Sequence, residues 1–174
     1  MNSNADQSPG LAIRDATPAD LGEINDIYNY YVLTCTCTYQ ELPESAADRS
    51  EWFKSHDSKH PVIVAELEGE IVGWGSLSQF GGPRARSAYR FTVEDSVYVR
   101  HDMQRQGIGA AILAELIRQA KALGYRSIVA SISADRTPSI SLHEKLGFAK
   151  VAHLREVGLK FGRWLDVVYL QKML

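Results

Sequence analysis

The chain has 174 residues, of which 45% are hydrophobic and 23% charged, so it can bury a core as one domain. Its formal net charge of −2 gives no overall electrostatic reason to expect nucleic acid or an anionic membrane as a partner. No apolar stretch approaches the roughly 20 residues that span a bilayer, and residues 1–10 lack the apolar segment of a signal peptide. We expect a flexible tail at 1–10, a single domain at 11–174 and a cytoplasmic location.

The first half of the chain begins with a predicted strand at 11–15. Thr17-Pro18-Ala19-Asp20 then supplies an N-cap, a proline for the first helical position and an acid for the first turn, which predicts a helix start. Apolar residues recur at three- and four-residue steps along this helix: Leu21, Ile24, Ile27, Tyr28 and Tyr31. An irregular segment follows, and then a second short helix. Two β-rich runs at 62–66 and 71–78 are separated by a turn around Gly69, which predicts an antiparallel hairpin.

The irregular segment between these helices contains Cys35 and Cys37, the only cysteines of the sequence. Neither a metal-ligand spacing nor a group of histidines accompanies them. We expect inert, reduced thiols near the edge of the core, with a redox or metal role as the alternative. The sequence predicts no metal ion.

The second half alternates strands and helices. A strand is predicted at 92–99, a strongly periodic helix ends at Gly124, a strand follows at 127–133, a helix at 137–147, and two closing strands flank Gly162. The apolar stripe of the periodic helix consists of Ile108, Ile112, Leu113, Leu116, Ile117, Ala120 and Leu123. The order is β-α-α-β-β-β-α-β-α-β-β, which predicts the α+β (mixed α/β) class, with a mixed sheet and helices on both faces.

The stretch from Ser96 to Ala110 is predicted as strand, loop and helix start. The free N–H groups of a first helical turn bind anions, and glycines let the backbone approach a pyrophosphate, which suits Gly107 and Gly109. The G-x-x-x-x-G-K-[ST] pattern of ATP sites is absent, and the third glycine of the dinucleotide pattern is missing. A pyrophosphate site is indicated, with a simple tight turn as the alternative.

Gln104-x-x-Gly107-x-Gly109 resembles the Q/R-x-x-G-x-G/A signature of the GNAT acetyltransferase superfamily. The resemblance implies the GNAT fold, with a mostly antiparallel sheet. It also implies that main-chain amides of the loop hold the pyrophosphate of acetyl-CoA, while the preceding strand binds the pantetheine arm. The residues implied to contact this cofactor are Val97, Tyr98, Val99, Gln104, Arg105, Gln106, Gly107, Ile108, Gly109 and Ala110.

Four longer stretches resemble one branch of that superfamily, the phosphinothricin and methionine sulfoximine N-acetyltransferases. They are TYQE at 38–41, YRFTVE at 89–94, SLHEKLGF at 141–148 and KFGRWLDV at 160–167. The likeness covers nearly all of 11–174 and implies a homodimer. The sequence departs from the branch at Arg136, where many members have an asparagine that contacts CoA. We expect Arg136 to contact a phosphate instead, with a solvated loop arginine as the alternative.

Two residues are candidates for catalysis. Transfer to an amine needs the neutral amine, and α-amino groups titrate near about 7.7–8.0, so a base must accept a proton. Glu94 is the candidate base, in line with the resemblance; an exposed carboxylate or an ion pair with Arg90 is the alternative. His143 is the candidate proton donor to the CoA thiolate and can also act as a base, with a packed core histidine as the alternative.

The acceptor site is predicted from the charge of an amino acid. The carboxylate of the acceptor is expected to bind arginines, and Arg84 and Arg90 are the candidates. Arg90 is a candidate because strand alternation is expected to place it on the Glu94 side. Tyr39 and Glu41 follow the first helix, where the superfamily places its acceptor-binding loop. A further aromatic pair, in KFGRWLDV, is expected to contact a partner subunit, with core packing as the alternative.

Three functions fit these residues. The first is direct acetyl transfer from acetyl-CoA to the α-amino group of phosphinothricin, methionine sulfoximine or a similar small amine. The second uses a protein N-terminus or a polyamine as the acceptor, and an open or acidic groove would indicate it. The third is a non-catalytic acyl-CoA-binding sensor. The presence of both Glu94 and His143 argues against the sensor, because binding alone needs neither.

Overall fold

The computed structural model describes residues 10–82 and 85–174, so that residues 1–9 of the expected tail and Arg84 lie outside the described part. The strands are β1 (Leu11–Asp15), β2 (Val62–Leu67), β3 (Glu70–Gln79), β4 (Thr92–Val99), β5 (Ser127–Ser133), β6 (Ala149–Lys160) and β7 (Arg163–Met173). The helices are α1 (Leu21–Thr34), α2 (Ala46–Lys54), α3 (Ile108–Ala122) and α4 (Thr137–Lys145). The predicted order of strands and helices is confirmed.

All seven strands form one sheet in the order β1-β2-β3-β4-β5-β7-β6. Neighbouring strands are antiparallel except β4 and β5, which run parallel. These two strands pair only from Thr92 to Glu94 on β4 and from Ser127 to Val129 on β5. The predicted mixed, mostly antiparallel sheet is confirmed, and a gap opens near its middle where β4 and β5 separate.

Helices cover both faces of the sheet, as predicted. On one face the buried side of α3 packs on the sheet, with Ile112 and Leu116 against Ile63 and Val93. On the other face α1 packs against β3, with Ile24 and Trp74 in the same cluster. Among the described residues, none of the helices has the length and apolar composition that crossing a bilayer requires.

The periodic stripe of α3 is buried as predicted from Ile108 to Ala120, but Leu123 lies at the helix end and is 42% exposed. Left-handed glycines flank the helix, Gly107 with φ 81° at its start and Gly124 with φ 79° just past its end. Gly124 stops the helix by donating its backbone N–H to the carbonyl of Lys121. The two glycines hold the ends of the helix that leads into the site.

Asp20 ties β1 to α1. Its carboxylate accepts two hydrogen bonds from the Arg14 guanidinium, both of 2.8 Å, and one of 2.7 Å from the backbone N–H of Thr17. The bonds from Arg14 lower the pKa of Asp20 to about 2, against the opposing effect of burial and with further help from Thr17. The predicted helix start at Thr17–Asp20 is therefore stabilised by an ion pair to the first strand.

We expect Asp20→Asn to lower the free energy of unfolding by about 1–2 kcal/mol at pH 7, allowing for the partial exposure of Arg14. A carboxyl group whose pKa is lower in the folded state stabilises the fold above its unfolded pKa of about 3.9. This contribution disappears as the pH falls toward 2. Urea unfolding at a series of pH values should show that, in this pH window, the free energy of unfolding falls more steeply with decreasing pH for the wild type than for the variant. Parallel plots of this free energy against pH would contradict the assignment of the stabilisation to Asp20.

Candidate active site

The gap between β4 and β5 leads into a cavity of about 640 Å³, within the size range of small-molecule sites. Its walls come from β4 beyond Glu94, from β5, from the start of α3 and from α4. The predicted cofactor residues that line it are Val97, Tyr98, Val99, Gln104, Arg105, Gly107, Ile108, Gly109, Ala110 and Arg136. Gln106 is outside this lining and lies 3.8 Å from the Met103 sulfur through its Nε2 atom.

The loop before α3 has the shape of an anion-binding turn. Arg105 and Gly107 are both left-handed, with φ of 64° and 81°. The first N–H groups of α3 have no acceptor within the helix, and Gly107 has no side chain with which to cap them. A β-carbon at Gly109 would lie 3.4 Å from Leu142 and 3.5 Å from Val99, which are ordinary contact distances.

Gln104 fastens this loop to α1. Its Nε2 atom donates to the Tyr31 hydroxyl at 2.6 Å, and that hydroxyl donates to the Val99 carbonyl at 2.5 Å. Tyr31 also lines the cavity, although the sequence predicted it only as part of an apolar helix face. The side chain of Gln104 thus positions the turn, and its predicted cofactor contact stays a prediction.

Arg136 is held at the cavity wall by the segment that follows α1. Its Nε and Nη2 atoms lie 3.1 Å and 2.9 Å from the Thr36 hydroxyl oxygen, and Nε lies 3.2 Å from an Asp135 oxygen. Thr36 in turn donates to the Asp135 carboxylate. The guanidinium is therefore positioned beside the cavity, and its contact with a phosphate stays a prediction.

Glu94 lies on the opposite face of the sheet from α3. Strand alternation places it with Tyr98, which packs against the α1 cluster, whereas Val97 packs against the α3 cluster. Burial raises the pKa of Glu94, a hydrogen bond from the Gly81 backbone N–H opposes this, and the charge of Asp95 adds to it. A half-buried carboxyl group with a raised pKa is well suited to accept a proton from an amine.

The expected position of Arg90 is wrong. β4 begins at Thr92, and Arg90 has helical backbone angles (φ −54°, ψ −13°) at the end of a short turn, so strand alternation does not reach it. Its guanidinium lies 4.6 Å from the centre of the Phe91 ring and 3.3 Å from the Ser87 carbonyl. Among the described residues it forms no ion pair with Glu94, so that alternative also fails.

His143 is buried on the α3 side and paired with a residue that sequence reasoning missed. Its Nε2 atom lies 3.0 Å from Asp95 Oδ2, and its Nδ1 atom lies 2.8 Å from the Ser139 carbonyl oxygen. Burial by itself lowers the pKa of His143, but the hydrogen bond and charge of Asp95, with the Ser139 carbonyl, outweigh it and raise the pKa. The available signal was alternation along β4, which places Asp95 on the α4 side. Both residues line the cavity.

The segment after α1 is fastened to the β6–β7 hairpin. The Tyr39 hydroxyl lies 2.9 Å from the Asp166 carbonyl oxygen, and a β-carbon at Gly158 would lie 2.7 Å from the Tyr39 ring. The buried Lys160 ammonium donates to the carbonyls of Cys35 and Thr38 at 2.8 Å and 2.7 Å. Lys160 was not predicted as a site residue, although it begins one of the four stretches that carry the resemblance.

Two expectations for this segment need correction or refinement. The side chains of Cys35 and Cys37 lie against each other, with their Cα atoms 5.3 Å apart, so the pair is placed where a disulfide can form, whereas reduced thiols were expected. Both cysteines line the cavity, whereas Tyr39 and the exposed Glu41 are not part of its lining. Within residues 10–82 and 85–174, no three His, Cys, Asp or Glu side chains are arranged to hold a metal ion.

The chain matches the acetyltransferase (GNAT) family over residues 24–148, more than half of its length. It therefore belongs to this family of acyl-group transferases. An L-methionine sulfoximine/L-methionine sulfone acetyltransferase of Pseudomonas aeruginosa is 41% identical over 162 residues, which cover 92% of each chain. The resemblance predicted from the Gln104–Gly109 signature and from the longer stretches is confirmed.

Solved structures with the same fold include two named enzymes. A phosphinothricin acetyltransferase from Sinorhizobium meliloti in complex with AcCoA is 40% identical, with a TM-score of 0.90, and the match covers 95% of this chain and 89% of that one. A ribosomal-protein-alanine N-acetyltransferase from Brucella melitensis is 38% identical, with a TM-score of 0.89 and coverage of 94% and 99%. The predicted GNAT fold is confirmed.

Proposed function

We propose that this chain transfers the acetyl group of acetyl-CoA directly to the α-amino group of a small amino acid or analogue, such as methionine sulfoximine or phosphinothricin. The names of the relative from Pseudomonas aeruginosa and of the structure from Sinorhizobium meliloti support this acceptor class. The latter structure was solved in complex with AcCoA, which supports acetyl-CoA as the donor.

The observation that carries the proposal is the separation of β4 from β5 after Glu94. Beyond this residue β4 loses its partner strand on one side, which leaves room along Val97–Val99 for an amide-rich arm such as pantetheine. The uncapped start of α3 then lies at one end of the cavity, where a diphosphate would bind. The acetyl group would lie where Asp95 lines the cavity, next to Glu94 along β4.

In this arrangement Glu94 accepts a proton from the acceptor amine, directly or through a water molecule. The neutral nitrogen attacks the thioester carbonyl, and the carbon–sulfur bond breaks to release the CoA thiolate. Arg136 and the loop amides bind the donor. The acceptor is enclosed by the segment that carries Tyr39 and Glu41.

We expect Gly158→Ala to raise the KM for the acceptor and to leave acetyl-CoA affinity unchanged. The added β-carbon would lie 2.7 Å from the Tyr39 ring, so the ring must move and loosen the segment after α1. Such overpacking costs about 1–3 kcal/mol. Gly22→Ala is the control, because nothing lies within 4 Å of that position. Steady-state kinetics and calorimetric titration with CoA distinguish the outcomes; equal acceptor KM values would show that the segment does not shape the acceptor site.

The proposal includes the homodimer expected from the resemblance and the cytoplasmic location expected from the apolar pattern of the sequence. β6 is an edge strand of the sheet. The exposed large apolar side chains of this strand and its hairpin are Val151, Leu154, Val157, Leu159, Phe161 and Trp164. Phe161 and Trp164 are 56% and 62% exposed, so core packing within one chain is excluded for them. An exposed apolar edge favours association, and sedimentation equilibrium should show a dimer rather than a monomer.

Thiol release from acetyl-CoA with a panel of amines tests the function. The panel contains methionine sulfoximine, phosphinothricin, proteinogenic amino acids, spermidine and a peptide with an N-terminal alanine, and mass spectrometry locates the acetyl group. Turnover of the small amino acids, with acetylation at the α-nitrogen, supports the proposal. Turnover of spermidine alone, or CoA binding without any turnover, contradicts it.

A second candidate is the acetylation of a protein N-terminus. The similarity to the ribosomal-protein-alanine N-acetyltransferase from Brucella melitensis favours it. The alanine peptide in the panel decides between the two candidates, because a site shaped for a free amino acid binds the α-carboxylate as a charge, which a peptide lacks at that position.

A further inference from the structure

Asp95 and His143 form a buried pair where the gap between β4 and β5 ends. Their side chains are only 2% and 4% exposed, and Asp95 Oδ2 lies 3.0 Å from His143 Nε2. His143 Nδ1 lies 2.8 Å from the Ser139 carbonyl oxygen. Among the described residues, Asp95 Oδ1 has no hydrogen-bond partner although it is buried. We call these two side chains the acid–imidazole pair.

A neutral imidazole ring beside an ionised carboxylate would lack one proton that the geometry of the acid–imidazole pair requires. A carbonyl oxygen only accepts, so Nδ1 of His143 carries a hydrogen. Nε2 of a neutral ring then has only a lone pair, and an ionised carboxylate also offers only lone pairs. A 3.0 Å contact between them therefore requires a proton in between, whichever atom holds it.

Among the described residues, the surroundings of the pair supply no competing ion-pair partner. The edge of the Phe148 ring lies against the imidazole, with the ring centres 5.0 Å apart. Other charged side chains of the cavity wall are Arg105, Arg136 and Lys145, and in the described part of the chain none forms an ion pair with the acid–imidazole pair. Glu94 is the next residue along β4 but faces the other side of the sheet.

We propose that the acid–imidazole pair protonates the CoA thiolate as it leaves, and that Asp95 is the residue that holds this proton in position. The proposal rests on the acetyl transfer proposed above. When the carbon–sulfur bond breaks, its electron pair stays on sulfur, and the proton between Nε2 and Oδ2 moves to sulfur to give the thiol. A carboxylate and a neutral ring remain, and they regain a proton from water after CoA departs.

This arrangement changes the role predicted for His143. Both of its ring nitrogens are engaged, one by the Ser139 carbonyl and one by Asp95, so the ring has no free N–H with which to reach the sulfur by itself. The transferable proton is the one shared with Asp95. Burial opposes it, but the hydrogen bond and charge of Asp95 raise the pKa of His143, which favours retention of this proton until the thiolate forms.

Asp95→Asn tests the proposal. The side-chain amide of asparagine has nearly the same shape as the carboxylate and can still donate a hydrogen bond to Nε2. The two side chains then hold no proton that can move to sulfur. We expect kcat to fall by about 10²-fold, with acetyl-CoA affinity unchanged. The wild-type kcat should decline at alkaline pH as the pair loses its proton, and the variant should lack this decline. The kcat of the His143→Gln variant should fall as much as that of Asp95→Asn. The double variant should lose no more kcat than either single variant.

Nuclear magnetic resonance of ¹⁵N-labelled histidine in the CoA complex tests the shared proton without turnover. The wild-type His143 ring should titrate above its ordinary pKa of about 6.5, and the Asp95→Asn ring below it. A wild-type ring that titrates at or below the ordinary value overturns the proposal even if Asp95→Asn does not fold. Full turnover by Asp95→Asn overturns it while acetyl transfer stands. If the wild type acetylates no amine although the ring titrates as expected, the proposed function and the proton transfer to sulfur are both wrong. Only the inference that Asp95 and His143 share a proton then stands.

Discussion

Replacing Glu94 with glutamine is expected to lower kcat for acetyl transfer by about 10²- to 10⁴-fold, the range for loss of a general base. The amide of glutamine keeps the size of the side chain and can still accept the Gly81 N–H, but it cannot take a proton from the amine. Burial raises the pKa of Glu94 and brings it closer to that of an α-amino group. A half-buried carboxyl group with a raised pKa therefore fits the proposed role of general base.

The measurement is kcat and kcat/KM against pH, with acetyl-CoA affinity from calorimetric titration. The wild-type rate should rise as Glu94 loses its proton, and the variant should lack this rise and follow only the ionisation of the amine. Cofactor affinity should be equal in both. Glu23→Gln, an exposed carboxylate on α1, is the control. An unchanged rate for Glu94→Gln would remove Glu94 from the mechanism.

Gly107→Val is expected to weaken acetyl-CoA binding by about 10- to 100-fold. A β-branched residue cannot hold the left-handed conformation of Gly107, so the turn must shift and move the first amides of α3. Each lost hydrogen bond to a charged phosphate is worth about 1.5–3 kcal/mol, and about 1.4 kcal/mol corresponds to a tenfold change in affinity. Loss of one such bond accounts for the expected effect.

Gly124→Val is a closely matched control for this variant. Gly124 lies just past the other end of α3, has φ 79° against 81° for Gly107, and likewise has nothing within 4 Å of an added β-carbon. Both variants should lose similar stability in thermal unfolding because they incur the same backbone strain. Only Gly107→Val should lose affinity for CoA in calorimetric titration. Equal affinities would show that the turn before α3 does not hold the diphosphate.

The fold was largely predictable because its signals are local. The alternation of apolar residues along β4 and the three- and four-residue periodicity of α3 each depend on neighbours within a few positions. The bounds predicted for β1, β4 and β5 are those observed. The predictions were wrong where a periodic pattern was extended past the end of a strand or helix. Arg90 was treated as part of a strand that begins at Thr92, and Leu123 as part of a helix that ends at Ala122.

The candidate site was predictable only in part. The loop from Gln104 to Gly109 carries a recognisable signature, because one turn must leave amides free and admit left-handed residues. Asp95 was missed since nothing near it in sequence indicates a partner. Lys160 was missed for the same reason, because its two carbonyl acceptors lie on a segment that is distant along the chain.

Local patterning therefore settled the order of elements, the mixed sheet and the position of the turn before α3. Tertiary structure alone brought His143 to Asp95, 48 residues away, and Lys160 to Cys35, 125 residues away. It also opened the gap between β4 and β5, next to which Glu94 and Asp95 lie. The physical reason is that a periodicity defines which face of an element is buried, whereas a hydrogen bond between distant elements depends on how the separated strands and helices pack together.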